Sequence, residues 1–203
     1  MSNEALLAEA SVALVEHLRT QIGFTIMNKE DSPIMKAVAL GMDLARNFSQ
    51  TVPTGDSFMR DYATTLGTVI CLPASIRNDP RSLIQVVVHE AQHVLQFGDT
   101  GVEFAWFYLA DPAARSQFEA DAYAAGIAVD GWLTGEPVEQ LIPTIIDIMI
   151  SGYHIRAEDA VYAEAALKSL MTSISAGVVT TRSARMAIAF LEDKYPTLKG
   201  AVA

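Results

Sequence analysis

The sequence predicts a predominantly α-helical α+β fold in a single domain over residues 1–203, and three observations carry that expectation. Apolar residues recur at three- and four-residue spacing through most of the chain, which is the period of a helix face. The pairs Asp79–Pro80 and Asp111–Pro112 each place a side-chain acceptor just ahead of a proline that suits the first helical position. Only TLGTVICL, residues 65–72, is short, β-branched and apolar enough to read as a strand. A chain of 203 residues with 51% hydrophobic content can bury one sizeable core. No repeat, low-complexity tract or flexible linker divides it.

In chain order, Leu6, Leu7, Ala10, Leu14 and Leu18 form a first helical stripe. Pro33 opens a second through Met35, Val38, Met42 and Leu44. Pro53, Gly55 and Gly67 then punctuate the approach to the strand, which suits a buried or edge position. The helix opened by Pro80 aligns Leu83, Ile84, Val87, Val88, Ala91, Val94 and Leu95 on one side, and Gly98 is expected to end it near Phe97. Pro112 opens an Ala-rich helix expected to run to about Asp130, before Gly131. Further helical patterns cover roughly 138–150, 157–172 and 181–194.

A formal net charge of −10 argues against a nucleic-acid partner, which needs a basic surface to displace counterions. The first 21 residues carry Glu4, Glu9 and Glu16 where a secretory leader would be basic and then uninterruptedly apolar, so no signal peptide is expected. Charges such as Asp147 break every apolar run short of about 20 residues, which predicts no membrane insertion. Cys71 is the lone cysteine; an intramolecular disulfide is therefore excluded and a reducing compartment fits. A cytoplasmic location is expected, or a virion-associated one if the chain is phage-encoded.

Within the Pro80 helix the run VVVHEAQHVLQF contains His-Glu-x-x-His at 89–93. Residues four apart on a helix leave the same face one turn apart, so His89 and His93 can grip one ion. Zinc takes neutral imidazole nitrogen readily, and a catalytic zinc keeps three protein ligands and one open position. Glu90 projects about 100° round the helix from His89, beside the ion, where a base for zinc-bound water belongs. With four His in the chain, the chance expectation for this pattern is on the order of half a per cent.

The third ligand should come from another helix, and RSQFEADAYAAG supplies Glu119 as first choice, with Asp121 as the alternative. The segment resembles the second-helix motif of gluzincins, in which a glutamate completes a His, His, Glu site. The wider run HEAQHVLQF, WFYL, DPAARSQFEADAYA is similar to small HExxH metallopeptidases of bacteria and their phages. The resemblance covers about residues 86–125. It implies a zincin-like domain with a small β-sheet beside the active-site helix, a Zn2+ cofactor and peptide-bond hydrolysis. One departure bears on the ligand set: in the better-known gluzincin arrangement the ligand glutamate lies four residues before a bracing aspartate, and four before Asp121 stands Gln117.

Around this core, Asp121 and Gln117 are candidates to orient the imidazoles, and Arg115, one turn before Glu119, to hold its carboxylate. SGYHIR supplies Tyr153, His154 and Arg156 as candidate donors to an oxyanion. Phe104, Trp106, Phe107 and Tyr108 are expected either to line a substrate pocket or to join the core. His17 is expected on an exposed helix face, and the Cys71 thiol buried and unreactive.

These residues predict a zinc-dependent amide hydrolase acting on a peptide or protein substrate, with zinc-bound water activated by Glu90. Two alternatives stand beside it. One is a peptidoglycan hydrolase using the same site; the other is a non-catalytic structural or virion-assembly protein whose zinc only stabilises the fold.

Overall fold

The computed structural model describes residues 2–46, 54–135, 139, 141–152 and 155–202. Helix α1 (Asn3–Ile22) begins at Ser2, whose side chain accepts from the Ala5 N–H, and ends at Gly23 in the left-handed conformation. Strand β1 (Thr25–Asn28), a 3₁₀ turn (Lys29–Asp31) and α2 (Pro33–Ala45) follow. A short α3 (Gly55–Asp61) leads into β2 (Thr64–Leu66) and β3 (Val69–Leu72), then α4 (Ala74–Arg77) and α5 (Pro80–Thr100). The chain continues through α6 (Val102–Ala110), α7 (Pro112–Thr134), α8 (Leu141–Gly152), α9 (Ala157–Ser175) and α10 (Arg182–Lys194).

The fold is therefore α+β and mainly helical, with one small sheet of order β1-β3-β2 among the described residues. TLGTVICL is a hairpin rather than the one strand expected from its composition. Gly67, at φ 59°, opens a two-residue turn that doubles the chain back, so Leu66 faces Val69. β3 is the central strand, parallel to β1 and antiparallel to β2. Edge position belongs to β1 and β2.

Helix ends also move relative to the sequence reading. Gly98 and Gly131 stay helical, and α5 and α7 stop only at Gly101 and Gly135, both of which have positive φ. A glycine ends a helix where it turns left-handed and its N–H closes on the last turn, as Gly135 does on the Gly131 carbonyl. Both aspartate caps form: Asp79 accepts from the Ser82 N–H, and Asp111 from those of Ala113 and Ala114.

α7 is the hub of the packing. Ala125, Ala128, Val129, Trp132 and Leu133 enter the main core with α1, β3, α5 and α10. Ala120, Ala124 and Ile127 enter a second core with α8 and α9. A helix buried on two sides loses its single apolar stripe, which is why its sequence looks merely Ala-rich. A third, smaller cluster joins Met35, Ala39, Phe58 and the buried Cys71. His17, expected on an exposed face, is half-buried and stacks on Phe190 with ring centres 4.5 Å apart. Among the described residues no helix is long and apolar enough to cross a membrane.

Lys29 is fully buried beneath this third cluster. Its Nζ donates to the carbonyls of Phe58 and Tyr62 at 2.8 Å and to Thr64 Oγ1 at 3.0 Å, and lies 3.4 Å from the centre of the Phe58 ring. Burial pulls its pKa down to about 8, against the pull of Glu90, Cys71 and Glu30. Three acceptors and a ring face match an ammonium, which ties α3 to β2. Lys29→Met strands those carbonyls, and equilibrium denaturation should register a loss of about 3 kcal/mol.

Candidate metal centre

The stripe that buries α5 turns His89 and His93 toward α7, where Glu119 faces them. The helices approach closely because residue 126 is glycine: a Cβ there would lie 3.3 Å from the Gln85 carbonyl oxygen and 4.0 Å from His89 Cβ. His89 Nε2 is 3.7 Å from Glu119 Oε2, and His93 Nε2 is 3.4 Å from Glu119 Oε1. Donor atoms of all three residues lie within 4.8 Å of one another. Zinc bonds of the usual length, directed tetrahedrally, set ligand atoms about 3.3 Å apart. The spacing of this group therefore suits one small ion.

Burial makes the same point. Glu119 is wholly buried, and its Oε2 has no hydrogen-bond partner. An unpaired buried carboxylate oxygen facing an imidazole is costly unless a cation completes it. Oε1 accepts a short hydrogen bond from the Tyr108 hydroxyl. Asp121, the alternative ligand, is exposed and stands outside the group. Two residues are about 200° of helix, so Glu119 and Asp121 cannot both face α5. Gln117 is exposed for the same reason.

Other residues orient the imidazoles. Gln96 Nε2 donates to the Phe118 carbonyl at 3.1 Å, which turns Gln96 Oε1 to His93 Nδ1 at 2.8 Å. His93 therefore donates through Nδ1 and keeps Nε2 for the ion. The backbone of Ala122 favours the protonated His89 ring. Arg115 does not hold Glu119; it donates to the carbonyls of Tyr108 and Leu109, bracing the end of α6. Gln96, one turn beyond His93, was legible as an i,i+3 neighbour on the same helix face, whereas the Ala122 backbone carries no side-chain signal.

Charge in the group is strongly coupled. Burial lowers the His93 pKa, but the Glu119 carboxylate more than reverses this, with help from Glu90 and Gln96, and raises it to about 9. Burial and the neighbouring His93 push His89 below the ordinary imidazole range. Burial opposes ionisation of Glu119, yet the two imidazoles and Tyr108 leave its pKa below the usual value. Burial and the Glu119 charge raise the Tyr108 phenol well above its usual range, so it stays a proton donor.

Glu90 is buried beside the group and accepts from Thr65 Oγ1 at 2.6 Å. Two cavities meet at this carboxylate. One, of about 410 Å³, is lined by β2, α2 and α6 and reaches Glu90, His93, Tyr108 and Glu119. The other, of about 360 Å³, reaches Glu90 from the side of His89 and Tyr123. Of the aromatic run, Phe104 and Tyr108 line the first cavity, whereas Trp106 and Phe107 are 71% and 40% exposed and belong to neither pocket nor core.

Tyr153 and His154 lie outside the described residues; Gly152, just before them, lines the first cavity. Arg156 pairs with Glu158 and Asp159 at 2.9 and 2.6 Å, outside the lining of either cavity. Comparison of the chain with protein-family models, with curated proteins and with solved structures gives no match.

Proposed function

We propose that the chain is a zinc-dependent hydrolase of peptide bonds, in which His89, His93 and Glu119 hold the ion and Glu90 handles the proton. The observation that carries this reading is the buried three-residue group with one unpaired carboxylate oxygen, set beside a carboxylate that is not part of it. Zinc, when bound, lowers the pKa of water toward neutrality and polarises a carbonyl. Glu90 accepts a proton from the attacking water as the C–O bond forms, and returns it to the amide nitrogen as the C–N bond breaks. Thr65 fixes the carboxylate for that transfer through its hydrogen bond to Oε2.

Tyr108 is a further candidate for the donor role that the sequence offers to Tyr153 and His154. Its hydroxyl stands at the cavity wall within hydrogen-bond reach of Glu119 Oε1, and can donate to the carbonyl oxygen as that oxygen gains charge. Tyr108→Phe should keep its metal and lower kcat about 100-fold with little change in KM. A fall in metal content instead would assign Tyr108 to holding Glu119.

Three protein ligands favour a hydrolase over a stabilising site, because structural zinc fills four positions with protein side chains and the described residues supply no fourth. The direct test is hydrolysis of an unfolded protein by the zinc-loaded chain, abolished by a chelator and restored by zinc. Cleavage of muropeptides and not of protein would move the substrate to the cell wall. Zinc uptake with neither activity would favour a structural role.

A further inference from the structure

The cavity on the His93 side continues onto the surface as an apolar cleft. Val38 and Met42 of α2 form one wall, Phe104 and Leu109 of α6 the other, and Leu66 of β2 with Phe97 of α5 the base. Among the described residues its lining contains no lysine or arginine, and its carboxylates are Glu90 and Glu119 at the metal centre. Away from the metal centre an acidic side chain entering here meets apolar surface and no described counter-charge, whereas an apolar one meets matching surface.

Both walls remain apolar where they reach solvent. α6 contributes no buried residue, and Val102, Trp106 and Leu109, spaced along one helix face, are 81%, 71% and 74% exposed. On α2, the lining residue Val38 is 38% exposed, and Ile34, one turn before it on the same face, is exposed as well. Apolar surface gathered round a cavity marks a binding region, whereas single exposed apolar residues are ordinary. Along the base, β2 has a strand neighbour on one side only among the described residues. Its three residues span about 10 Å, enough to run beside about three residues of an extended chain.

We propose that this cleft binds an extended peptide segment carrying a bulky apolar residue, of the phenylalanine, leucine or methionine kind, next to the bond at Glu90. The cutting of that bond rests on the hydrolase reading; the binding does not. The substrate class is therefore unfolded or unstructured polypeptide rich in apolar residues, since a folded protein keeps such residues buried.

Binding is measured on the zinc-loaded Glu90→Gln protein, using fluorescently labelled short peptides identical except at one position, which holds Phe, Leu, Ser, Lys or Asp. The Phe and Leu peptides should bind at least about tenfold more tightly than the others, with Asp weakest. Leu109→Asp, at an exposed position, should erase the ranking while circular dichroism and zinc content stay unchanged, and Val38→Asp on the opposite wall should do the same. Equal binding of all five peptides, or an unaltered ranking in both variants, overturns the proposal. So does a concentration-dependent dimer in sedimentation that Leu109→Asp abolishes, which would give the surface to a second copy of the chain. If the ranking holds but the wild type cleaves none of the bound peptides, the hydrolase reading fails and the peptide site stands.

Discussion

Mass spectrometry of the purified chain is expected to find one zinc ion per molecule in the wild type and in Glu90→Gln, and none in His89→Ala, with only the wild type hydrolysing an unfolded protein. The expectation follows from the separation of tasks within one helix turn. His89 faces Glu119 at 3.7 Å and belongs to the donor group, whereas Glu90 points to Thr65 and the cavities. Removing His89 leaves His93 and Glu119, two ligands where a catalytic zinc site has three. Glu90→Gln is nearly isosteric and keeps an acceptor for the Thr65 hydroxyl, so fold and metal should persist. It removes the only proton acceptor assigned to the reaction, and general acid–base contributions of this kind are worth on the order of 10²–10⁴ in rate. Loss of zinc from Glu90→Gln, or hydrolysis surviving in it, would refute this division of labour.

Glu119→Gln is expected to weaken zinc binding at least about 100-fold and, in the same variant, to abolish its pH dependence above neutrality. The metal-free wild type holds a proton on His93 up to about pH 9. An entering ion must expel it, so wild-type affinity should rise about tenfold per pH unit from neutrality and level off near that pKa. Without the Glu119 charge, burial leaves His93 neutral, and no proton remains to be expelled. Titration calorimetry in buffers of different ionisation enthalpy counts the released proton directly. The metal-free chain carries a matching signature. Its His93 pKa lies above the ordinary 6.5, so the folded state holds more protons than the unfolded one between about 6.5 and 8, and stability falls as pH rises through that window; above it the lowered Lys29 pKa of about 8 acts in the opposite direction. Flat stability there would mean that His93 and Glu119 do not interact as the structure places them.

Much of the centre is legible because it is local. His89, Glu90 and His93 lie within five residues, and a capped amphipathic helix fixes their relative directions before any tertiary contact forms. The choice of Glu119 over Asp121 is different. Both are helical carboxylates two positions apart, and only the side of α7 that meets α5 decides between them. Gly126 governs that meeting, although in sequence it is one more small residue in an Ala-rich run. Tyr108 was visible only as a member of an aromatic cluster, because its role depends on α6 folding back across α5 and α7.

The short elements were the hardest to read. β1, α3, α4 and α6 are nine residues or fewer, too short for a hydrophobic period to establish itself, and they are held by neighbours more than by their own propensity. α6 has apolar residues on every side and so shows no period at all.

By itself, then, the sequence determined the helical character of the chain, the two capped helices, the paired imidazoles with Glu90 beside them, and a net charge of −10. Each of these depends on residue type or on spacing within a few turns. Only the tertiary structure decided which carboxylate completes the group, that TLGTVICL turns at Gly67 so that β2 becomes the edge strand, and that an apolar cleft opens onto Glu90. Those outcomes depend on which faces of distant segments meet, and packing sets that rather than any local period.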